Sequence, residues 1–276
     1  MDQSRTLPRA ALVVLVLGGM ASLGRVDTAA RPAPQTAQGQ TPQVWKGTVL
    51  QGSAIEIKGV NGEIRATPSS GAEVEVSAVM KGRRSNPAEV RLDIVQHADG
   101  VTICAVYPSG DSRPNECAPG RGGRMHVRDN DVTVAFTVRV PPGVRFVGRN
   151  VNGDVTADAL GGPVSVETVN GDARFSTSSY GEASTVNGSI EGTMGNTQWP
   201  DALQFKTVNG SIALDLPADA STDINAATVN GGITTDFAVT VSGKFNARRL
   251  SGTIGGGGRK LDLETVNGSI TLKKKV

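Results

Sequence analysis

The hexapeptide Thr185-Val186-Asn187-Gly188-Ser189-Ile190 returns letter for letter at Thr207-Val208-Asn209-Gly210-Ser211-Ile212 and at Thr265-Val266-Asn267-Gly268-Ser269-Ile270. Looser copies centre on Val60-Asn61-Gly62, Val151-Asn152-Gly153, Val169-Asn170-Gly171 and Val229-Asn230-Gly231, with a degenerate one at Leu250-Ser251-Gly252. From Asn152 onward the centres fall at 170, 187, 209, 230, 251 and 267, a period of roughly 20 residues, which marks stacked supersecondary units. Two residues before the centre stand Thr168, Thr185, Thr207, Thr228 and Thr265, with Asn150 and Arg249 as exceptions. Three residues after it stand Ile64, Val155, Ala173, Ile190, Ile212, Ile233, Ile254 and Ile270. Upstream, Val164 and Val166, Leu203 and Phe205, and Leu261 and Leu263 alternate with polar residues, the period of a strand.

Two architectures satisfy this pattern. Each Asn-Gly could be a two-residue hairpin turn, since both residues tolerate positive φ, and the chain would then be an antiparallel β-hairpin meander. Alternatively each Asn-Gly is a corner of an all-β parallel β-solenoid, β-helix- or β-roll-like, with coils of ~20 residues. A hairpin has no reason to demand Thr-Val before the turn and Ser/Asp-Ile after it. Stacked coils do, because like residues lie above one another about 4.8 Å apart and asparagines can bond in ladders. The solenoid is therefore the expected fold. Its corners are Asn61, Asn152, Asn170, Asn187, Asn209, Asn230, Ser251 and Asn267, and Val208 is expected in its core.

Composition agrees with a thin aliphatic core. Glycine supplies 35 of 276 residues, while aromatics make up only 4 %. A net charge of +2 gives no electrostatic case for nucleic acid, and two histidines with two cysteines leave little for a metal centre or a catalytic triad.

The chain begins with Arg5 and Arg9 ahead of an apolar run over residues 10–24, the pattern of a secretory signal. Residues 1–30 are expected to be that signal, with a retained N-terminal membrane anchor as the alternative. Residues 31–43 are rich in Pro, Gln and Ala and read as a disordered linker. No second long apolar stretch follows, so the mature chain is expected to lack a transmembrane span and to reside in the periplasm, at the cell surface or outside the cell. In such an oxidising compartment Cys104 and Cys117 are expected to form a disulfide closing a turn-rich loop. Residues 44–131 then form an N-terminal β region carrying this insertion, and residues 132–276 the repeat domain.

The repeated T-V-N-G-[SD]-I motif, with the Pro-containing approaches Val140-Pro141-Pro142-Gly143 and Leu216-Pro217-Ala218-Asp219, resembles the bacterial putative-adhesin family of exported β-repeat domains. The likeness is strong over residues 132–276 and looser over residues 44–108. It implies a right-handed β-solenoid-like fold and a surface or periplasmic setting, and it brings no catalytic residue. The segment 81–131 departs from the family pattern.

Asp154 and Asp172 follow consecutive Asn-Gly pairs and would face the same side, the best carboxylate pair for a polysaccharide-active enzyme. The same position is Ser189, Ser211 and Ser269 elsewhere, so a small polar corner residue explains it better. Asp215, Asp219 and Asp223 lack calcium-loop spacing, and the run Gly255-Gly256-Gly257-Gly258 lacks the residues of a phosphate or calcium loop. His97 and His126 have no partner that spacing identifies. Lys273, Lys274 and Lys275 are expected to shield the edge of the last coil. No catalytic residue, cofactor or metal is expected. The function expected is that of an exported, non-enzymatic, adhesin-like scaffold binding a cell-envelope glycan or surface protein. A polysaccharide-active enzyme and a ligand-free structural envelope protein are the alternatives.

Overall fold

The computed structural model describes residues 42–241 and 246–275. The expected signal over residues 1–30 lies outside them, as does nearly all of the 31–43 linker. The described residues all fall within one compact unit. Among the described residues there is no α-helix, only a short 3-10 turn at Pro87–Glu89, and no helix long and apolar enough to cross a membrane.

The chain opens with β1 (Gln43–Thr48), β2 (Ala54–Lys58), β3 (Ile64–Pro68), β4 (Glu73–Lys81), β5 (Arg91–His97) and β6 (Gly100–Val106). After the cysteine-bearing loop come β7 (Thr133–Val140), β8 (Arg145–Arg149), β9 (Val155–Leu160), β10 (Val164–Glu167) and β11 (Ala173–Thr177). Then follow β12 (Gly181–Ser184), β13 (Ile190–Met194), β14 (Leu203–Lys206), β15 (Ile212–Pro217), β16 (Thr222–Asn230) and β17 (Ile233–Thr235). The chain ends with β18 (Val239–Val241), β19 (Arg249–Ile254), β20 (Lys260–Asn267) and β21 (Ile270–Lys275).

Each coil is two strands joined at a corner, one strand in each of two facing sheets. The first sheet runs β1-β4-β7-β3-β9-β11-β13-β15-β21-β17, and the second runs β18-β19-β16-β20-β14-β12-β10-β8-β2-β6-β5. Strands of successive coils pair in parallel and in register, Ile190 against Ile212 and Ile212 against Ile270. Parallel pairing excludes the hairpin meander, in which each Asn-Gly would join antiparallel neighbours.

Alternation does the packing. Residues four and two before the corner and three after it point inward, giving a buried row of Val155, Ala173, Ile190, Ile212 and Ile270 on one sheet and Val166, Phe205 and Leu263 facing it. Each fully buried aliphatic side chain contributes about 1.5–3 kcal/mol relative to exposure. Phe175 and Phe205 stack at 6.1 Å across this core, and the Phe175 ring fills the space where side chains of Gly181 and Gly192 would stand. Part of the glycine excess thus makes room for an aromatic. The parity puts Thr207 in the core and leaves Val208 half-buried on the outer side, which corrects the expectation for Val208.

The order of coils in space differs from their order in the chain at both ends. The β2–β3 coil lies between β6–β7 and β8–β9, so residues 44–131 and 132–276 contribute to one stack. At the other end β20–β21 is wedged between β14–β15 and β16–β17. Lys273–Lys275 pair along Asp215–Pro217 on one side and lie past the end of β17, which reaches only Ile270–Leu272 on the other. Three of the four sheet ends are closed by antiparallel strands, β4 and β1 on β7, β5 on β6, and β19 and β18 on β16, while the fourth ends in the three-residue parallel strand β17. Such reversals blunt edges that would otherwise template further pairing.

Ser251 is part of one of these caps. It lies within β19 opposite Asn225, after the chain reverses at Asn246 and Arg249, and it is not a corner. Its Leu-Ser-Gly neighbours imitate the motif, but the strand runs the wrong way for stacking.

Candidate functional site

Seven corners superpose along the stack in the order Asn61, Asn152, Asn170, Asn187, Asn209, Asn267, Asn230. Each asparagine donates from Nδ2 to Oδ1 of the one before it, over 2.7–2.9 Å at all six steps. A second ladder runs beneath. Thr168, Thr185, Thr207, Thr265 and Thr228 each donate from the hydroxyl to the corner-glycine carbonyl of the neighbouring coil, at 2.8–2.9 Å. Asn150, the exception in sequence, does the same through Nδ2 to Gly62 O. Any Cβ on Gly188, Gly210 or Gly268 would run into the backbone carbonyl of the coil beneath, so stacking itself demands glycine there.

A third ladder accounts for Asp154 and Asp172. Asp154 Oδ1 accepts from the Asp172 amide and Asp172 Oδ1 from the Ser189 amide, each at 2.8 Å; Ser189 and Ser211 hydroxyls continue the series. The other carboxylate oxygens of both aspartates pair with Arg174, which also reaches Glu191. The two carboxylates are brought together, but in the service of the stack. Among the described residues no group of three or more His, Cys, Asp or Glu could hold a metal ion.

What the corners leave outside is a row of valines. Val151, Val169, Val186 and Val229 are 40 %, 39 %, 40 % and 55 % exposed, and Val60, Val208 and Val266 are half-buried in the same row. Six steps of ~4.8 Å make this edge about 29 Å long. The signal for it was the invariant Val of the repeat, read as core when it is surface.

At one end the row runs into a cavity of about 430 Å³. Its roof is the loop after β6, held down by the Cys104–Cys117 disulfide, whose Cα atoms are 5.8 Å apart. Inside the loop, the buried Asn115 bonds to Tyr107 O and His126 O, and its Oδ1 accepts from the His126 amide. The Tyr107 hydroxyl donates to Val132 O at 2.9 Å, and burial pushes this phenol up to about 12. His126 lies 3.2 Å from Asp111, whose carboxyl a hydrogen bond from Arg124 holds down at about 2. His97 contacts Thr102 Oγ1 at 3.1 Å.

The loop is fastened to the sheet by charge. Glu56, 5 % exposed, accepts from Thr102 Oγ1 at 2.8 Å, from the Gly120 amide at 2.9 Å and from Arg149 Nε at 2.8 Å. Arg149 also pairs with Glu167, which Arg121 reaches at 3.2 Å. Burial opposes the Arg149 charge, yet Glu167 and Glu56 outweigh it and raise its pKa. Lys58 Nζ donates to Ala118 O at 2.6 Å and Gly122 O at 2.9 Å. Sequence reasoning found the disulfide but not Glu56, Lys58 or Arg149, because nothing local in the sequence shows which outward-facing strand residues a distant loop will cover.

Residues 151–273 match the family described as Toastrack DUF4097. No curated protein matches the chain. Among solved structures, a putative cell adhesion protein from Clostridium sporogenes is 11 % identical with a TM-score of 0.47, covering 85 % of this chain and 100 % of its own. A putative adhesin from Bacteroides fragilis is 13 % identical with a TM-score of 0.36, covering 86 % and 98 %.

Proposed function

We propose, from the match of residues 151–273 to the Toastrack DUF4097 family, that the protein is an exported, non-enzymatic, adhesin-like scaffold that binds an envelope or extracellular partner along its exposed corner edge. The observation that carries this reading is the valine row. A stack needs Thr inside and Gly at the turn, but nothing in the stacking requires an apolar residue on the outer side, where valines stand exposed beside an asparagine ladder. Repeated exposed apolar surface of this kind suits contact with an extended partner. The disulfide supports an oxidising compartment, and the N-terminal sequence supports export.

The test is binding of the purified chain to envelope fractions and to a glycan panel, with the double variant Val169→Glu/Val186→Glu beside it. Both valines are outside the core, so the variant is expected to keep its thermal midpoint and to lose binding at least tenfold. Binding that ignores the two charges would refute the edge as the contact surface.

A further inference from the structure

The cavity at the end of the valine row combines three kinds of surface. Lys58 and Arg149 come from the ends of β2 and β8, Arg121 and Met125 from the stapled loop, and Val60 and Val151 from the row itself. We propose that this cavity binds a carboxylate-bearing sugar ring, the acidic unit of a glycan whose remaining units run out along the valine row. The proposal rests on the surface-binding reading above and names its ligand class.

Charge selects the anion. Four cations line the cavity, Lys58, Arg121, Arg124 and Arg149, against the carboxylates of Glu116 and Glu167. Arg149 is held by Glu56 and Glu167, and Arg124 by Asp111. Arg121 shares Glu167 and its side chain is 85 % exposed. Lys58 is different: among the described residues no carboxylate lies within ion-pair distance of its ammonium, which has two carbonyl acceptors for three N–H donors. Burial lowers its pKa, against the more distant pull of Glu56 and Glu167. An incoming carboxylate would give Lys58 a direct ion-pair partner and meet the exposed end of Arg121 in the same space.

The remaining walls select a sugar. Val60, Val151 and Met125 offer apolar contact for the C–H face of a ring, while Glu116, Glu167 and the loop carbonyls accept from hydroxyls. Those same carboxylates disfavour a dianion, so a monoanionic ring fits better than a phosphate. A volume of about 430 Å³ falls in the usual range for small-ligand sites. Because Val60 and Val151 belong both to the cavity and to the row, a ring seated here is already aligned with the edge.

The test is calorimetric titration of the full chain with a galacturonic acid trimer and, separately, with a galactose trimer. The acidic trimer is expected to bind, more weakly as salt rises, and the neutral one not to. Lys58→Met and Arg121→Gln should each weaken the acidic trimer at least tenfold, and Lys273→Met on the other sheet should leave it unchanged. Arg121 is exposed, so its variant tests the site even where Lys58→Met impairs folding. Equal binding of both trimers, no binding of the acidic trimer, or undiminished binding by Arg121→Gln would overturn the proposal. The two readings separate on envelope fractions: Arg121→Gln that binds them normally, where Val169→Glu/Val186→Glu does not, leaves the edge standing and removes the cavity. If the wild-type chain binds no envelope fraction, the edge reading falls and the trimer titration still decides the cavity.

Discussion

Asn267 donates from Nδ2 to Oδ1 of Asn209 across 2.8 Å, although 58 residues separate the two in the chain. Asn230, which precedes Asn267 in sequence, lies beyond it in space and donates to it at 2.7 Å. The last coil therefore completes the stack from within, and β16–β17 has no parallel partner until the C-terminus is in place. Deleting residues 259–276 should expose the faces of β14–β15 and β16–β17 together. Hydrogen exchange is expected to show protection lost from β14 to β19 and retained in β9, β11 and β13. Protection of β16 at its wild-type level would contradict the wedged order.

The irregular coil at Asn150 carries a testable coupling. Asn150 Oδ1 is buried without a hydrogen-bond partner, and it occupies the space where a Gly59 side chain would stand, 2.7 Å from an ideal Cβ. Threonine at both of two adjacent coils is tolerated repeatedly further along, at Thr168, Thr185 and Thr207. Gly59→Ala alone is expected to destabilise by about 1–3 kcal/mol through overpacking. In an Asn150→Thr background the clash disappears and the orphan carbonyl with it, so the same alanine should cost less than half as much. A double-mutant cycle on urea midpoints measures this; additive effects would show that the two sites do not share the space.

Tyr107 sets an alkaline limit. Its folded-state pKa of about 12 exceeds the ~10 of an exposed phenol, so between those values the folded chain holds a proton that the unfolded chain has lost. Stability is then fully present below pH ~10 and falls as pH rises toward 12, by on the order of 2 kcal/mol from this group. Tyr107→Phe should cost about 1 kcal/mol at neutral pH, where the bond to Val132 O is lost, and should flatten the alkaline decline. Thermal midpoints at pH 8 and pH 11 for both proteins give the comparison. A mutant whose decline matches that of wild type would remove Tyr107 as the cause.

How much of this was legible in the sequence follows from where each constraint originates. Gly188, Gly210 and Thr207 answer to a neighbouring coil that carries the same letters, so their recurrence announces stacking directly. The wedged position of β20–β21 left no such trace, because the corners at Asn230 and Asn267 share Thr, Val, Asn, Gly and Ile at the same places and those letters do not rank their order along the stack. Ser251 misled for the complementary reason: local identity cannot report that β19 runs antiparallel. In the cavity, Cys104 and Cys117 declared themselves by compartment and spacing. Glu56, Lys58 and Arg149 sit at outward strand positions that ordinarily face water, and only the folded loop shows that they do not.

The corner's parity gives the sharpest test of the register. Thr207 and Val208 are neighbours, and a reading by hydrophobicity alone would bury the valine. The register buries Thr207, 1 % exposed, with its hydroxyl on Gly188 O at 2.8 Å, and turns Val208 outward. Val208→Asp therefore places a carboxylate at a half-exposed site beside the asparagine ladder, where it stays hydrated, and should cost no more than about 1 kcal/mol. Thr207→Asp places it between the sheets, where an unpaired charge is paid for by several kcal/mol or by protonation at raised pKa. Thr207→Val separates the hydroxyl from its volume and should cost about 1–3 kcal/mol, since the Gly188 carbonyl is left without that donor. Chemical denaturation of the three variants is expected to rank Val208→Asp mildest and Thr207→Asp worst. The reverse order for the two aspartates would mean that the strands are offset by one residue, and with them every contact along the row.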